Sequence, residues 1–239
     1  ASAAMAAAKR ELLRVETDVI RADIDTLGGD IVYLELLKHR DTVDQSKNLV
    51  LFGPAHRYAA QSGFTGVGLP NHQTVYSTSG KEFRLESGKD SVSVRLEASG
   101  SGPAAGVKVA KTLTFHRNSY LIDIAHELSN GSGSPIDTTA YFQLTRDGKP
   151  PAGDSKMVST YTGGAVYTEQ DKFHKVDFSD IDKNDKNKTP YKKNTDNGWV
   201  ALLQHYFVAA LLPPDKQPRE FYTEKLAEDF YRVGSKLPI

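Results

Sequence analysis

The sequence predicts a mainly β protein, built as one large antiparallel β-sandwich. Apolar and polar residues alternate with a period of two in several segments, which is typical of half-buried strands. Clusters of Gly, Asn, Asp and Ser separate these segments at intervals of roughly ten residues. Helical signals are few, and the candidate at 227–230 is too short to count. Short strands joined by regular turns favour antiparallel meanders packed as a sandwich.

The alternation begins near the N-terminus. In residues 15–19 and 22–26, apolar residues or Thr alternate with acidic residues, which predicts two strands with one wet face. We therefore expect Asp23 and Asp25 to face water. The denser apolar stretch Ile31–Leu37 follows, and its length favours a buried strand over a helix.

Further strands are predicted in the second half of the chain. Val and Leu alternate with Ser and Arg over 92–96, and the pattern continues between 113 and 124. Residues 198–212 are rich in aromatic and aliphatic side chains, with a break only near Gln204-His205. This predicts two adjoining central strands, with Trp199 as a core anchor. Prolines 213, 214 and 218 then require a loop before extended structure resumes.

Two polar regions are interpreted as long loops, Gly53–Ser79 and Ser179–Asn197. Lysines in the second region are attributed to a solvated loop, with contact to anionic lipid head groups as the alternative. Residues 1–10 are Ala-rich without an apolar signal-peptide core, so we interpret them as an expression remnant or a disordered leader. Residues 11–239 are expected to form a single domain, because no change in composition divides them.

Composition excludes several classes of function. The chain has 239 residues with 30 basic and 30 acidic side chains, so it has no net field that would attract nucleic acid. No apolar run reaches the roughly 18–20 residues that a membrane-spanning helix needs. Cys is absent, which excludes disulfides and thiolate metal sites.

No pattern indicates catalysis or metal binding. The segment Asp180–Asp185 begins like a calcium loop, but Asp185 and Tyr191 stand where an EF-hand needs Gly and Glu. The seven histidines lack a metal-ligand spacing. We expect His116 to cap a hairpin and His205 to lie in the core. The sequence therefore predicts that the protein is not an enzyme and that it has no catalytic residue, cofactor or metal site.

Several segments together resemble the large periplasmic domain of YidC-type membrane protein insertases. They occur in the order of that family and are the Gly-Gly turn region 15–37, the loop Gln61–Gly66, the strand Lys111–Phe115, the segments 120–130 and 161–168, and the aromatic run from Gly198. The resemblance implies a β-supersandwich similar to galactose mutarotases, at the periplasmic face of the bacterial inner membrane. Family domains continue past this point, so it also implies a C-terminal truncation.

The resemblance implies an accessory function. The parent protein would be an inner-membrane insertase that aids integration and folding of membrane proteins, alone or with the Sec translocon. The expected partners are auxiliary subunits of the translocon and nascent membrane proteins, and the isolated domain is expected to be a monomer. Residues 130–178 are the implied contact region. Within it, Tyr161, Tyr167 and Phe173 are the candidate partner-surface residues, because aromatics that lie among turns suit interface anchors.

Two alternatives remain open. A mutarotase-like fold also suits a carbohydrate-binding or sugar-modifying domain, although mutarotation needs a general acid and a general base that the sequence does not pair. A groove for extended peptides, acting by strand addition or through an aromatic cleft, is compatible with the accessory function.

Overall fold

The described residues form three β-sheets around a shared core. The structure, a computed structural model, describes residues 9–153, 160–183 and 191–239. These residues contain seventeen strands and one short α-helix, α1 (Phe178–Asp182). In chain order the strands are β1 (Leu12–Glu16), β2 (Ile20–Asp25), β3 (Asp30–Arg40), β4 (Asn48–Phe52), β5 (Ala59–Phe64), β6 (Glu82–Arg84), β7 (Ser91–Ser99), β8 (Val107–His116), β9 (Ile122–Asn130), β10 (Thr139–Arg146), β11 (Thr162–Thr168), β12 (Lys172–Val176), β13 (Lys192–Thr195), β14 (Trp199–Gln204), β15 (Phe207–Leu211), β16 (Arg219–Ala227) and β17 (Phe230–Pro238).

The largest sheet has ten strands. Its order is β13-β16-β17-β10-β5-β3-β2-β1-β6, with β4 paired to β3 off this path. The described pairs are antiparallel except for β1 and β6, which run parallel. The antiparallel sandwich predicted from the alternation is therefore confirmed.

The two smaller sheets cover the large one. A three-stranded sheet has the order β7-β8-β9, and a four-stranded sheet has the order β12-β11-β14-β15. In β7, Val94 and Leu96 are buried while Ser93 and Arg95 are exposed. This is the alternation that the sequence shows, so each small sheet turns one face inward and the other toward solvent.

One apolar core joins all three sheets. Ile24 and Phe221 come from the large sheet, Leu96 and Phe115 from the three-stranded sheet, and Val200 from the four-stranded sheet. Each of these side chains has 0% exposure. Full burial of such a side chain stabilises the fold by about 1.5–3 kcal/mol, so the sheets depend on one another for their stability.

A buried lysine also joins two of the sheets. Lys111 in β8 has 0% exposure, and its Nζ donates to the backbone oxygens of Gly28 at 2.5 Å and Ser62 at 2.9 Å. Asp30, with 4% exposure, is its electrostatic partner. Burial lowers the pKa of Lys111 to about 8, and the nearby Asp30 charge opposes this shift. The ammonium therefore connects the three-stranded sheet to the turn between β2 and β3.

Both predicted long loops contain regular structure. Residues Ala59–Phe64, inside the predicted loop 53–79, form β5 between β3 and β10. In the predicted loop 179–197, α1 occupies the start and β13 pairs with β16 near the end. The prediction of a loop was wrong for both regions, because small or polar residues in β5 and β13 do not show the apolar alternation typical of strands. Residues 184–190 lie outside the described part of the chain.

The water-facing position predicted for Asp25 is also wrong. Asp25 is 2% exposed, and its Oδ1 accepts from the backbone N–H of Leu27 at 2.9 Å, which closes the turn after β2. Its Oδ2 accepts from Arg10 Nη2 at 2.5 Å. Asp23 is ion-paired with Arg14 across β1 and β2. Arg10, assigned above to the leader, thus contacts the domain, while residues 1–8 lie outside the described residues.

Candidate interaction surface

The outer face of the four-stranded sheet carries the aromatic residues singled out from the sequence. Successive strand residues point to opposite faces. Val166 and Val200 therefore face the core, with 1% and 0% exposure, while their neighbours Tyr167 and Trp199 point outward and are half-buried. Phe173 in β12 is also on the outer face, with 51% exposure. The face that should be polar in a solvated sheet is therefore aromatic.

Three of these aromatics form a row across the strands. Tyr167 is the register partner of both Phe173 and Trp199. The Tyr167 and Trp199 rings are stacked with centroids 6.1 Å apart, and the Phe173 ring lies 6.2 Å from that of Trp199. Aromatic rings at such separations attract one another through offset or tilted packing. We call these three residues the aromatic row.

Tyr161 lies on the same face, beside the row. A Cβ added to Gly163 would meet the Tyr161 hydroxyl oxygen at 2.6 Å, so the ring covers the glycine backbone. The Tyr161 hydroxyl donates to the backbone oxygen of Gly164 at 2.7 Å. Lys175 Nζ lies 4.4 Å from the centre of the same ring, a cation–π contact. Burial, followed by the nearby charge of Asp177, raises the pKa of Tyr161.

The structure thus brings all three predicted surface residues to one face but corrects how they are held. Tyr167 and Phe173 lie within β11 and β12, not among turns. Trp199, predicted as a core anchor, belongs to the aromatic row. The strand pair predicted around it is confirmed as β14 and β15, but β15 is an edge strand rather than a central one. Residues 199–203 contain no charged or amide side chain, so this part of the sequence does not indicate which side chains face outward.

Charges around the aromatic row are mixed. Lys193 Nζ pairs with Asp171 Oδ1 at 3.0 Å, and this hydrogen bond lowers the pKa of Asp171. Four of the five residues of β12 are exposed, including Lys172 and Lys175, and only Val176 is buried. The surface therefore combines one exposed and three half-buried aromatic rings with a cationic border on one side.

A second cluster tests the sugar-modifying alternative. On the large sheet, Tyr222 Oη and Arg232 Nη1 donate to Gln143 Oε1 at 2.9 and 3.3 Å. Gln143 Nε2 donates to Gln61 Oε1 at 2.8 Å, and Gln61 Nε2 donates to Asp30 Oδ2 at 2.8 Å. The amides form a directed chain across neighbouring strands, in which each group is bonded to another protein group.

Two titratable side chains beside this chain, His72 and Asp30, each bond to a protein group, although Asp30 Oδ1 is buried without a partner among the described residues. His72 Nδ1 contacts the Tyr141 hydroxyl, and burial lowers the pKa of His72, so its ring is neutral near pH 7. Burial raises the pKa of Asp30 to about 7. An acid and a base that act on a sugar must stand on either side of the ring. Asp30 and His72 instead bond to Gln61 and Tyr141, which favours a structural role for the cluster.

Three further histidines lie in different surroundings. His126 stacks against Phe142 with centroids 5.2 Å apart, and its pKa falls to about 3 through burial. His116 was predicted to cap backbone groups, but its Nε2 contacts Asp123 Oδ2 at 2.7 Å. His205 was predicted in the core and instead occupies the turn between β14 and β15 with φ 56°. Hairpin turns select such left-handed residues, which explains the break in the pattern there.

The remaining site predictions concern metals and membranes. Among residues 9–153, 160–183 and 191–239, no three His, Asp or Glu side chains are grouped as metal ligands. Asp182, in the former calcium-loop candidate, accepts from Tyr231 Oη at 2.5 Å and pairs with Lys225 at 2.7 Å. None of the helices in the described residues combines the length and apolar character that crossing a bilayer would require.

Comparison with known sequences gives a consistent result over nearly the whole chain. A family model described as the YidC periplasmic domain matches residues 12–238. Proteins named membrane protein insertase YidC from Dechloromonas aromatica, Nitrosospira multiformis and Nitrosomonas europaea are 47%, 45% and 44% identical. The alignments cover 96%, 95% and 95% of this chain but 41%, 39% and 37% of those relatives. The chain thus spans about two fifths of their length.

Comparison with solved structures identifies the same type of sandwich. A galactose mutarotase-like protein from Lactobacillus casei superposes with a TM-score of 0.54 at 9% identity, over 95% of this chain and 87% of the other. A galactose mutarotase related enzyme from Lactobacillus acidophilus gives 0.54 and 9%, over 95% and 85%. At this identity the likeness concerns the fold alone.

Proposed function

The chain belongs to the YidC periplasmic domain family, and from this we propose that it is the accessory periplasmic domain of a membrane protein insertase. The match over residues 12–238 carries the proposal. The parent protein would reside in the bacterial inner membrane and would integrate and fold membrane proteins, alone or with the Sec translocon. The domain would supply a contact surface on the periplasmic side.

Tyr161, Tyr167 and Phe173 are the proposed partner-surface residues. Exposed aromatics supply large contact areas and are frequent anchors in interfaces. The 51% exposure of Phe173 and the half-exposed Trp199 beside it support this assignment. An auxiliary subunit of the translocon and emerging segments of nascent membrane proteins are the proposed partners. Weak contacts suffice there, because proteins held in one membrane meet at a high effective concentration.

Photo-crosslinking in the full-length insertase tests this surface. A photoreactive residue replaces Lys175, which shares the face of Phe173, or Lys172, which directly precedes Phe173 in the chain. Neither position belongs to the aromatic row. Ser93 and Arg95, exposed on the three-stranded sheet, are the control positions. We expect crosslinks to a membrane partner from the first pair only. Equal yields from both pairs, or none from the first, would remove the assignment.

A substitution at Phe173 tests whether its aromatic ring itself contributes to partner binding. Phe173→Ser should reduce the crosslink from Lys175, because the exposed ring is the proposed anchor. Val67→Ser is the matched control, since Val67 is an apolar residue with 80% exposure that lies outside the four-stranded sheet. Equal loss in both variants would show that the ring has no specific role.

We also propose that the domain is not an enzyme. The named relatives are insertases, and the likeness to mutarotases is a likeness of fold at 9% identity. An NMR assay of galactose and glucose anomerisation should show the rate of the buffer alone. Acceleration that His72→Ala or Asp30→Asn abolishes would establish the sugar-modifying alternative instead.

A further inference from the structure

The strand β15 lies at the edge of the four-stranded sheet, and no further strand of the described residues pairs with it. We infer that its free edge binds an extended, uncharged polypeptide segment, which adds as a fifth strand to the four-stranded sheet. The inference rests on the proposed accessory function and goes beyond it by naming the form in which a client chain would be recognised. The argument depends on the backbone of Val208 and Ala210, which belong to this edge.

The hydrogen-bond pattern fixes which groups point outward. The N–H of His205 bonds the backbone oxygen of Tyr161 at 3.2 Å, so odd-numbered residues of β14 bond to β11. Even-numbered residues of β14 therefore bond to Phe207, Ala209 and Leu211, which are their register partners. The N–H and C=O groups of Val208 and Ala210 point away from β14. In the described part of the chain, no strand pairs with β15 on that side.

The side chains of this edge are uncharged and accessible. The strand reads Phe-Val-Ala-Ala-Leu, with Val208 at 52% exposure and Leu212, just beyond it, at 61%. Natural edge strands usually avoid further pairing through charges, shortness, proline or bulges. The five-residue strand β15 has no charge, proline or bulge between its first and last residues, so it lacks these three forms of protection against pairing.

The other described edge strands are protected. Lysines stand on β12 and β13, charged residues on β7 and β9, β6 has only three residues, and β4 joins β3 with register shifts. Because the other described edge strands are protected, the unprotected edge is specific to β15. It is not a general property of the sheets.

The chemistry of the edge defines its partner. Outward N–H and C=O groups, repeated every second residue, match an extended backbone, whereas a helix has already used these groups internally. Because β15 has no charge, an apolar or neutral segment meets no unpaired charge on binding. An unfolded apolar segment of a nascent membrane protein has these properties.

A synthetic peptide tests the pairing on the 239-residue chain. The probe is an N-acetylated, C-amidated octapeptide of alternating Val and Thr with one terminal Lys and a fluorophore. We expect weak, saturable binding by fluorescence anisotropy, together with slower hydrogen exchange at the amides of Val208 and Ala210. N-methylation of one alternate set of peptide amides should abolish binding, and N-methylation of the other set should not. This asymmetry is the signature of strand addition.

A proline substitution tests the edge itself. Ala210→Pro removes an outward N–H that bonds no strand in the described structure, so the ladder to β14 is kept. We expect it to weaken peptide binding about tenfold or more, as the loss of one or two hydrogen bonds would. Lys175→Pro is the matched control, because it removes an outward N–H from β12 at the opposite edge of the same sheet. If Ala210→Pro unfolds the chain, the N-methylated peptides decide the question.

Three kinds of result would overturn the proposal. One is equal loss of binding with either N-methylated set, or no binding at millimolar peptide. Another is protection of the Val208 and Ala210 amides in the free chain, which would mean that the edge is already paired. The third is concentration-dependent dimerisation that Ala210→Pro abolishes, which would make a second copy the partner. None of these affects the crosslinking test, so this proposal fails independently of the accessory function.

Discussion

Trp199 is the single tryptophan of the chain, and its half-buried side chain is part of the aromatic row. Because only part of the ring leaves water on folding, we expect Trp199→Ala to reduce the free energy of unfolding by about 1–2 kcal/mol. Phe221→Ala, at a fully buried aromatic, should cost about 3–5 kcal/mol. Urea denaturation followed by circular dichroism compares the two. If Trp199→Ala reduced the free energy of unfolding as much as Phe221→Ala, Trp199 would be a core residue as the sequence predicted.

Asp30 should make the stability of the chain depend on pH. Burial raises its pKa from 3.8 to about 7, opposed by the charge of Lys111. Between these values the folded chain keeps a proton that the unfolded chain has released. The contribution of Asp30 is therefore fully present below about pH 4 and is lost as the pH rises through about 7. Asp30→Asn cannot titrate, so its free energy of unfolding should fall less over this range.

The measurement is urea denaturation of each variant from about pH 4 to about pH 8. Asp90→Asn, on an exposed turn, is the matched control and should follow the unmodified chain. If Asp30→Asn also follows the unmodified chain, Asp30 does not hold its proton in the folded state.

Residue identity alone did not reveal the buried lysine. Lys111 is in phase with Val109 and Leu113, so the alternation places it on the inward face. Lysine is almost never fully buried without a partner, and the partners here are backbone oxygens and Asp30 from other strands. Such partners come from distant parts of the chain, and a single sequence does not indicate them.

At the scale of elements, β5 shows why a strand can be missed in sequence analysis. Its residues, Ala59–Phe64, are mostly small or polar, because the backbone of the following loop lies directly against it. A Cβ on Gly63 would stand 2.6 Å from the Cα of Asn71. The composition that made this segment resemble a loop is therefore required by close packing on a strand.

Gly63→Ala tests that explanation. The added methyl group must displace the backbone of Asn71, so we expect a loss of about 1–3 kcal/mol in the free energy of unfolding. Gly80→Ala is the control, because its Cβ would meet only the Phe83 side chain, at 3.3 Å. Chemical denaturation of both variants gives the comparison. Equal stability of the two would show that the loop yields easily and that close packing does not explain the glycine.

The two hairpin strands β14 and β15 show the opposite case. Dense apolar sequence predicted both strands correctly, since aromatic and branched residues favour extended structure. Because nearly all of these residues are apolar, the sequence did not indicate which side chains face outward or which strand forms the edge of the sheet. These properties depend on pairing with β11 and on the inward contacts of the sheet, which local sequence does not specify.

At the scale of the whole molecule, the sequence predicted the sandwich but not how Tyr161, Tyr167 and Phe173 are arranged on it. Alternation and turns are local signals, so the fold class followed from them. The convergence of Tyr161, Tyr167 and Phe173 on one face requires the register between β11 and β12. Register arises from long-range pairing, so their grouping with Trp199 could not be predicted.

The shared core leads to a prediction about unfolding of the entire chain. The core contains buried residues from all three sheets, and Lys111 bonds the three-stranded sheet to the large one. Removing either small sheet would expose part of this core, so residues 11–239 should unfold as one cooperative unit, as the single-domain prediction requires. Thermal unfolding should give coincident curves by far-ultraviolet circular dichroism and by Trp199 fluorescence. The calorimetric and van't Hoff enthalpies should also agree.

Two probes are needed because Trp199 reports on the four-stranded sheet, whereas circular dichroism averages over all strands. An early fluorescence transition would mean that the four-stranded sheet detaches before the rest. The contacts of β14 with β17 would then be weaker than the buried Val200 and Leu202 suggest. Lys111→Met is the further variant. Removing a buried ammonium that bonds two sheets should lower the midpoint while both curves still coincide, because the apolar core continues to couple the sheets.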